Sequence, residues 1–196
     1  MRQSDNEVKT IIQDWIKKQV DNARVALPGV ITGYDAGSNR ASVKPSGSYK
    51  AKDGRALPYP VIYNVPVVFP TGNGGSAGVT FPISSGDGCL IVFSDESISG
   101  YLAGNATNED PRRHSMNDAI AIPGLYPGGA TAAASNSGET CLTCGGSKLR
   151  LSSGGLIVEL ADGTSVSMSG GDLVVNGVSS VHHTHMGVHG ETSPPL

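Results

Sequence analysis

The chain has 196 residues, of which 38% are hydrophobic, 5% are aromatic and 27 are glycine, and its net charge is −3. This length accommodates one domain of ordinary size with an extension, and few large apolar residues with many glycines predict short strands joined by tight turns, a mainly β fold. The charge excludes the basic footprint of a nucleic-acid-binding protein, and no apolar run approaches the roughly 20 residues of a transmembrane helix.

Residues 1–25 are predicted to form an N-terminal helix with one apolar face. The apolar residues of this segment recur in the steps of three and four that are typical of an amphipathic helix, at Val8, Ile11, Ile12, Trp15, Ile16 and Val20. Ser4 and Glu7 fit a capping box at its start. The apolar face must lie either on the same domain or on a neighbouring chain. We favour the same domain, because such stripes usually pack within their own chain.

Residues 26–127 have the pattern of a small β domain. Runs of β-branched and apolar residues, separated by turn signals, predict strands at residues 27–34, 40–45, 65–69, 78–83, 89–93 and 119–122. Five or six short strands over about 100 residues, with prolines at strand edges, predict a small barrel that is closed or nearly closed. An OB-fold barrel is the leading interpretation, and a β-sandwich is the alternative.

Residues 128–146 are predicted to be a linker. The Gly-, Ala- and Ser-rich stretch up to Gly138 cannot bury enough apolar area to offset the entropy of ordering it. Cys141 and Cys144 form a single Cys-x-x-Cys, which lacks the second pair of a zinc ribbon and the βαβ context of a thioredoxin-like motif. We therefore expect two free thiols in this segment.

Residues 147–181 contain a repeat of short strands and glycine turns. Apolar and polar residues alternate in each strand, and turn glycines recur about every eight residues, at positions 146, 154, 155, 163, 170, 171 and 177. One chain of this kind has a narrow apolar stripe with nothing to cover it. Either the segment is a plain meander of hairpins, or several chains wind together and each supplies one face of a shared prism. We favour three chains wound into one triangular shaft, because three faces close a dry interior and remove the free strand edges.

Residues 182–196 are predicted to form a metal-binding apex and cap. Four of the five histidines fall within eight residues of this segment, at positions 182, 183, 185 and 189. Residues two apart in an extended strand point the same way, so His183 and His185 continue the inward apolar stripe through Val181 if the strand runs through unbroken. We therefore predict His183 and His185 as the metal ligands. The roles of His182 and His189 stay open.

Two imidazoles per chain are too few to hold a metal firmly, but a threefold axis turns them into six. Imidazole suits iron, zinc, copper and nickel alike, although an octahedral set of six disfavours structural zinc. A closed set has no open position for water, so we expect no catalysis. The disfavoured alternative is a metallohydrolase in which the four clustered histidines bind metal and Glu191 is the base.

Several motifs together carry a resemblance to a known family: Leu27-Pro28-Gly29-Val30-Ile31, the run from Gly86-Asp87-Gly88 to Phe93, the run from Asn117 to Gly124, and His183-Thr184-His185. They resemble the central spike protein of contractile-tailed bacteriophage baseplates. The resemblance implies an all-β protein with an OB-fold domain and a trimeric intertwined β-helix. It also implies one iron ion per trimer, held at the apex by His183 and His185 of three chains in an octahedral site.

The function implied by this resemblance is mechanical. A homotrimeric virion component would sit at the tip of the tail baseplate, bound to the tail hub and tube proteins. It would be driven through the host outer membrane into the periplasm when the tail contracts. Some relatives carry a lysozyme domain between barrel and needle, but here that interval is a short low-complexity stretch, so no enzyme activity is expected. The alternative function is an OB-fold binding module that recognises a surface glycan, with the tail as a trimerisation stalk.

Overall fold

The computed structural model describes residues 2–51, 53–105, 107, 110–126 and 138–194. The chain divides into two compact units, residues 1–130 and 131–196, and both are built mainly from β-strands, which confirms the predicted fold class at that level. Within the described residues, no helix is both long enough and apolar enough to cross a membrane.

The first unit begins with helix α1 (Arg2–Asn22), which confirms the predicted N-terminal helix. Its apolar stripe is exposed: the six side chains retain between 50% and 68% of their accessible surface. Packing of this stripe within the same domain, the alternative favoured from the sequence, is therefore not seen among the described residues. The helix therefore carries an apolar face that the described part of its own unit does not cover.

The remaining elements of the first unit form a curled sheet with short hairpins at its margins. They are β1 (Ala26–Asp35), β2 (Arg40–Pro45), β3 (Ser48–Lys50), β4 (Ala56–Pro58), β5 (Ile62–Pro66), β6 (Thr71–Gly72), β7 (Ala77–Gly78), β8 (Gly88–Phe93), the one-turn helix α2 (Ser99–Leu102) and β9 (Ala119–Pro123). Five strands pair antiparallel in the order β5-β2-β1-β8-β9. A parallel bridge between Val67 and Ala121 joins the two outer ends, and the Val68 N–H donates to the Ala121 carbonyl at 3.0 Å.

The curl of this sheet has a local cause. The pairing of β1 with β2 changes register between Ile31 and Gly33, and the pairing of β2 with β5 changes register between Ala41 and Val43. Register changes of this kind insert a bulge, which bends a strand and increases its twist. The two bulges lie on neighbouring strands, so the sheet bends towards closure.

The core lies inside the curl and is supplied by alternate residues of the strands. Its largest fully buried aliphatic side chains are Ile31, Ile91, Val43 and Val65. Burial of each stabilises the fold by about 1.5–3 kcal/mol. Cys89 lies in the same cluster, where burial raises the pKa of its thiol to about 11. The thiol therefore stays protonated at neutral pH and acts as a small apolar group.

The strand that the sequence pattern predicted at residues 78–83 is wrong. They form no continuous strand: Ala77 and Gly78 alone pair with β6, and residues 79–83 are irregular. Pro82 has no N–H to donate to a ladder, which disfavours a strand at this point. Phe81 instead packs edge-to-face on Phe69, with ring centroids 5.0 Å apart.

The long connection between β8 and β9 is held by a buried carboxylate that sequence reasoning did not identify. Asp118 is 1% exposed, and its Oδ1 accepts from the Ile98 N–H at 3.0 Å and from Arg112 Nη2 at 3.5 Å. Arg112 Nη2 also donates to the Ser97 hydroxyl at 2.8 Å. The network ties both ends of the connection to the start of β9.

Substitution of Gly88 tests how tightly the first unit is packed. A Cβ at this position would overlap the Leu125 backbone carbonyl, because the chain after β9 passes directly over β8. We expect Gly88→Ala to lower the free energy of unfolding by about 1–3 kcal/mol or more, the usual cost of overpacking. Urea denaturation measures this, with Gly33→Ala as the control.

Gly33 lies on β1 without a positive φ, and a Cβ there would meet no described atom within 4 Å. Gly33→Ala should therefore change the unfolding free energy by less than about 0.5 kcal/mol. Equal stability of the two variants would show that residues 124–126 do not lie over β8 in solution.

The second unit is a meander of short antiparallel strands. They are β10 (Glu139–Cys144), β11 (Ser147–Ser152), β12 (Gly155–Glu159), β13 (Ser165–Ser169), β14 (Asp172–Val175) and β15 (Val178–Ser179), followed by the small hairpin of β16 (Met186–Gly187) and β17 (Gly190–Glu191). The first six pair in chain order in one sheet. Within a single chain, the repeat is therefore the meander of hairpins given as one alternative above. The same sheet is also compatible with the other alternative, in which each chain supplies one face of a prism.

The start of the second unit differs from the sequence-based boundaries. Strand β10 lies inside residues 128–146, the predicted linker, and pairs with β11 along its whole length. The sequence of β10 has a single large aliphatic residue, Leu142, so its strand character depends on the partner strand. Residues 128–137 of the predicted linker lie outside the described residues.

Candidate functional site

One side of the sheet in the second unit carries two continuous rows of aliphatic side chains. Strand register places one residue from each strand opposite the next. The first row is Leu142, Leu149, Val158, Val166, Val175 and Val178, and the second is Leu151, Leu156, Met168 and Leu173. We call these ten residues the aliphatic face. The predicted alternation of the repeat is confirmed, since every member falls on the same side of the sheet.

The aliphatic face is largely open to solvent in a single chain. Its three central members, Leu156, Val158 and Val166, are half-buried, and the other seven are exposed. Contiguous exposed apolar patches are uncommon on monomeric proteins and mark surfaces that bind another molecule. Within the described residues of the second unit, nothing covers this face.

The opposite side of the same sheet is more polar. Arg150 Nη2 lies 2.5 Å from Glu159 Oε1, and Arg150 Nη1 lies 3.8 Å from Glu139 Oε1. Serines at positions 165, 167 and 169 continue this side along β13, with Ile157 and Val174 between polar neighbours. The two sides of the sheet therefore differ in chemistry: one is aliphatic, and the other carries mostly polar and charged side chains.

Cys141 and Cys144 are free thiols on strand β10. Residues three apart in a strand lie about 10 Å apart and point to opposite sides, whereas a disulfide needs Cα atoms within about 7 Å. The two cysteines cannot pair within one chain while β10 is intact. The structure agrees with the expectation of two free thiols.

The segment that leads into the histidines is a turn. Strand β15 ends at Ser179, whose hydroxyl accepts from the Val181 N–H at 3.2 Å and from the His182 N–H at 2.8 Å. Serine hydroxyls favour turns by bonding the backbone in this way. The prediction of His183 and His185 assumed that the strand continues through Val181. The strand ends before Val181, so strand alternation does not determine where the histidine side chains lie.

The turn nevertheless brings His183 and His185 together. Their ring centroids lie 5.0 Å apart with the ring planes at 88°. Nδ1 of His183 donates to the Ser179 carbonyl at 2.6 Å. A carbonyl can only accept, so Nδ1 carries the proton of this bond, and in the neutral imidazole the lone pair is then on Nε2. A backbone carbonyl commonly fixes metal-binding imidazoles in this tautomer.

His185 is held by the hairpin that follows it. Its N–H donates to the Thr192 hydroxyl at 2.9 Å, and the Thr192 N–H donates to the His185 carbonyl at 2.9 Å. The hairpin of β16 and β17 lies between these two residues, so the chain folds back on itself at this point. The Thr184 hydroxyl donates to the Glu191 carboxylate. Glu191, the base of the metallohydrolase alternative, is thus engaged within this segment.

In the part of the chain that the structure describes, the donor set at the tip is smaller than the set that a metal site needs. Among the described residues, no group of three or more His, Cys, Asp or Glu side chains could hold a metal. His183 and His185 supply two imidazoles, and His182 and His189 are exposed. A metal held by this pair would need further ligands from elsewhere.

The first unit has a cavity of about 580 Å³ that bears on the glycan-binding alternative. It is lined by Tyr34, Phe69 and Phe81 together with Asn39 and neighbouring residues. The Tyr34 hydroxyl donates to Asn39 Oδ1 at 3.0 Å, and Asn39 Nδ2 donates to the Val67 carbonyl at 2.9 Å. These polar groups already bond within the chain, so they hold the β1–β2 turn in place. The cavity gives no specific support for glycan recognition.

Comparison with known protein families identifies the first unit. Residues 27–124, half of the chain, match the family described as phage protein Gp138 N-terminal domain. The match begins within β1 and ends just after β9, so it covers the curled sheet described above. No curated protein matches the chain. The chain belongs to the phage protein Gp138 N-terminal domain family.

Proposed function

We propose that this protein is the central spike of a phage tail baseplate, a homotrimer whose second unit forms a puncturing needle. Membership of the phage family gives a structural, baseplate-related role and a place in the virion. The trimer, the metal and the piercing of the host outer membrane are the proposal. The aliphatic face is the observation that carries it.

The aliphatic face supports association of copies for an energetic reason. Seven exposed large aliphatic side chains on one side of a small sheet would each contribute about 1.5–3 kcal/mol if fully buried. Copies of the same sheet offer the matching apolar surface, and an interface made of one repeated patch closes by rotational symmetry. Three sheets with these faces inward would form a triangular shaft with a dry centre.

The two histidines of each chain are compatible with a metal shared by two copies or by three. Two copies would supply four imidazoles from His183 and His185, and three copies would supply six. Four nitrogens suit tetrahedral zinc, whereas six suit an octahedral ion. The resemblance to baseplate spikes favours six and iron. Such an ion would join three chain ends at one point and so resist fraying of the tip under load.

The first unit would be the attachment domain. We interpret its five-stranded curled sheet, with the parallel bridge between Val67 and Ala121, as an OB-fold barrel. The tail hub and tube proteins would be its partners. The net charge of −3 gives no attraction to nucleic acid, which supports an adaptor role. The absence of enzymatic activity stays a prediction.

One experiment on the unmodified protein tests this proposal. Light scattering after size exclusion should give three times the 20.0 kDa chain mass, and elemental analysis of the same fraction should give one iron ion per three chains. A stable monomer of 20.0 kDa would overturn the proposal. If the trimer contains another transition metal, the proposed spike function stands and only the identity of the ion changes.

A further inference from the structure

The uncovered face of α1 is the largest apolar feature that the proposed function does not use. Its six apolar side chains are exposed, including Trp15, the single tryptophan of the chain. The junction to β1 is short and fixed: the Phe93 N–H donates to the Val25 carbonyl at 2.9 Å, and His114 Nδ1 donates to the Arg24 carbonyl at 3.0 Å. The end of the helix is thus attached to its unit while the apolar face is not.

The width of the apolar face indicates how many neighbours it needs. At about 100° per residue, Val8, Ile11, Ile12, Trp15 and Ile16 fall within an arc of about 140°, and Val20 lies about 40° beyond it. A seam against a single partner helix is narrower than this, whereas a helix that contacts two neighbours buries a broad arc. Asp14 and Lys17 lie on the opposite side of the helix and are exposed.

The charge of α1 distinguishes between classes of partner. The helix sequence contains four basic and four acidic residues, so its net charge is zero. An amphipathic helix that binds an anionic membrane surface is typically rich in Lys and Arg on its polar face, and a strongly charged protein partner would select a helix of the opposite sign. A neutral helix with mixed charges has no repulsion against its own copies.

We propose that α1 packs against the α1 helices of two other copies and forms a three-helix bundle. This rests on the trimer of the proposed function, which would bring three such helices to a high effective concentration. An isolated helix of 21 residues with several β-branched residues is marginal in water. Burial of the apolar face in the bundle supplies the missing stability, and the chain then has a second trimer contact besides the needle.

Trp15 makes the proposal testable, because it is the single tryptophan and its fluorescence reports on α1 alone. In the full-length trimer, Trp15 emission should be blue-shifted and weakly quenched by acrylamide. The variant Ile12→Gln with Ile16→Gln should shift the emission to the value of solvated tryptophan while the mass by light scattering stays that of a trimer. The matched control is Asp14→Gln with Lys17→Gln, which adds two glutamines on the polar side, keeps the net charge and should leave the emission unchanged.

A cross-linking arm identifies the surface that Trp15 contacts. In a background with Cys141→Ser and Cys144→Ser, Val8→Cys should form an interchain disulfide on oxidation, and Lys17→Cys should not. Solvated Trp15 in a wild-type trimer, or buried Trp15 without the Val8→Cys cross-link, would overturn the bundle and leave the proposed spike intact. A wild-type monomer would overturn both the bundle and the spike. If the Ile12 and Ile16 changes dissociate the oligomer, the bundle is supported and the needle is not the contact that holds the trimer together.

Discussion

Replacement of Leu151 by aspartate is expected to dissociate the trimer, whereas the same change at the adjacent Ser152 is not. In a single chain Leu151 is 54% exposed, so its loss would change the stability of a monomer by less than about 0.5 kcal/mol. In the proposed shaft it faces inward, and three carboxylates would be buried together. Each buried ion costs several kcal/mol, and about 4 kcal/mol already weakens association roughly a thousandfold.

The Ser152→Asp control introduces the same charge one residue away, on the other side of the sheet. Ser152 Oγ accepts from the Gly154 N–H at 3.1 Å, and an aspartate oxygen can take over this turn bond. Light scattering should therefore give a monomer for Leu151→Asp and a trimer for Ser152→Asp. Equal masses for the two variants would show that the aliphatic face is not the trimer contact.

Removal of both imidazoles at the tip is the second large effect that we expect. The double change His183→Ala with His185→Ala should abolish the bound metal, because each trimer loses all six proposed ligands. Thermal unfolding of the second unit should begin at a lower temperature, since a ligand that binds only the folded state raises the free energy of unfolding, and that contribution is lost with the metal. The first unit should stay folded, because its core contains none of these residues.

The control for this change comes from the same segment. His182→Ala with His189→Ala also removes two histidines, but neither of them lies in the ring pair. Elemental analysis should then show one metal ion per trimer, as in the wild type. Unchanged metal content in the His183 and His185 variant would refute the site, and loss of metal from the control variant would add His182 or His189 to it.

The spacing of apolar residues was sufficient to predict a helix or strand wherever one spacing continues through the whole element. The steps of three and four in residues 8–20 predicted α1, and strict alternation around the turn glycines predicted the strands from β11 to β14. The pattern was insufficient at residues 78–83, where an apolar run lacks a partner strand and contains Pro82. It was also insufficient at β10, which is a strand because β11 pairs with it.

His183 and His185 were predicted from strand alternation, but hydrogen bonds of a turn and a hairpin bring them together. Strand alternation singled out His183 and His185, yet the strand stops at Ser179. The pair is brought together by hydrogen bonds of Ser179 to residues 181–183 and of Thr192 to His185, which join positions that no periodic pattern connects. Whether the pair binds a metal stays a prediction.

The amino-acid sequence by itself determined the mainly β class, the amphipathic N-terminal helix, the alternating repeat and the histidine cluster, because each depends on neighbours within a few residues. The tertiary structure alone decided three other features. Register aligned the alternating residues into one aliphatic face, the fold left the stripe of α1 uncovered, and a buried Asp118 joined a long connection to the start of β9. Each of these depends on contacts between residues far apart in the chain, and such contacts exist only once the strands have paired.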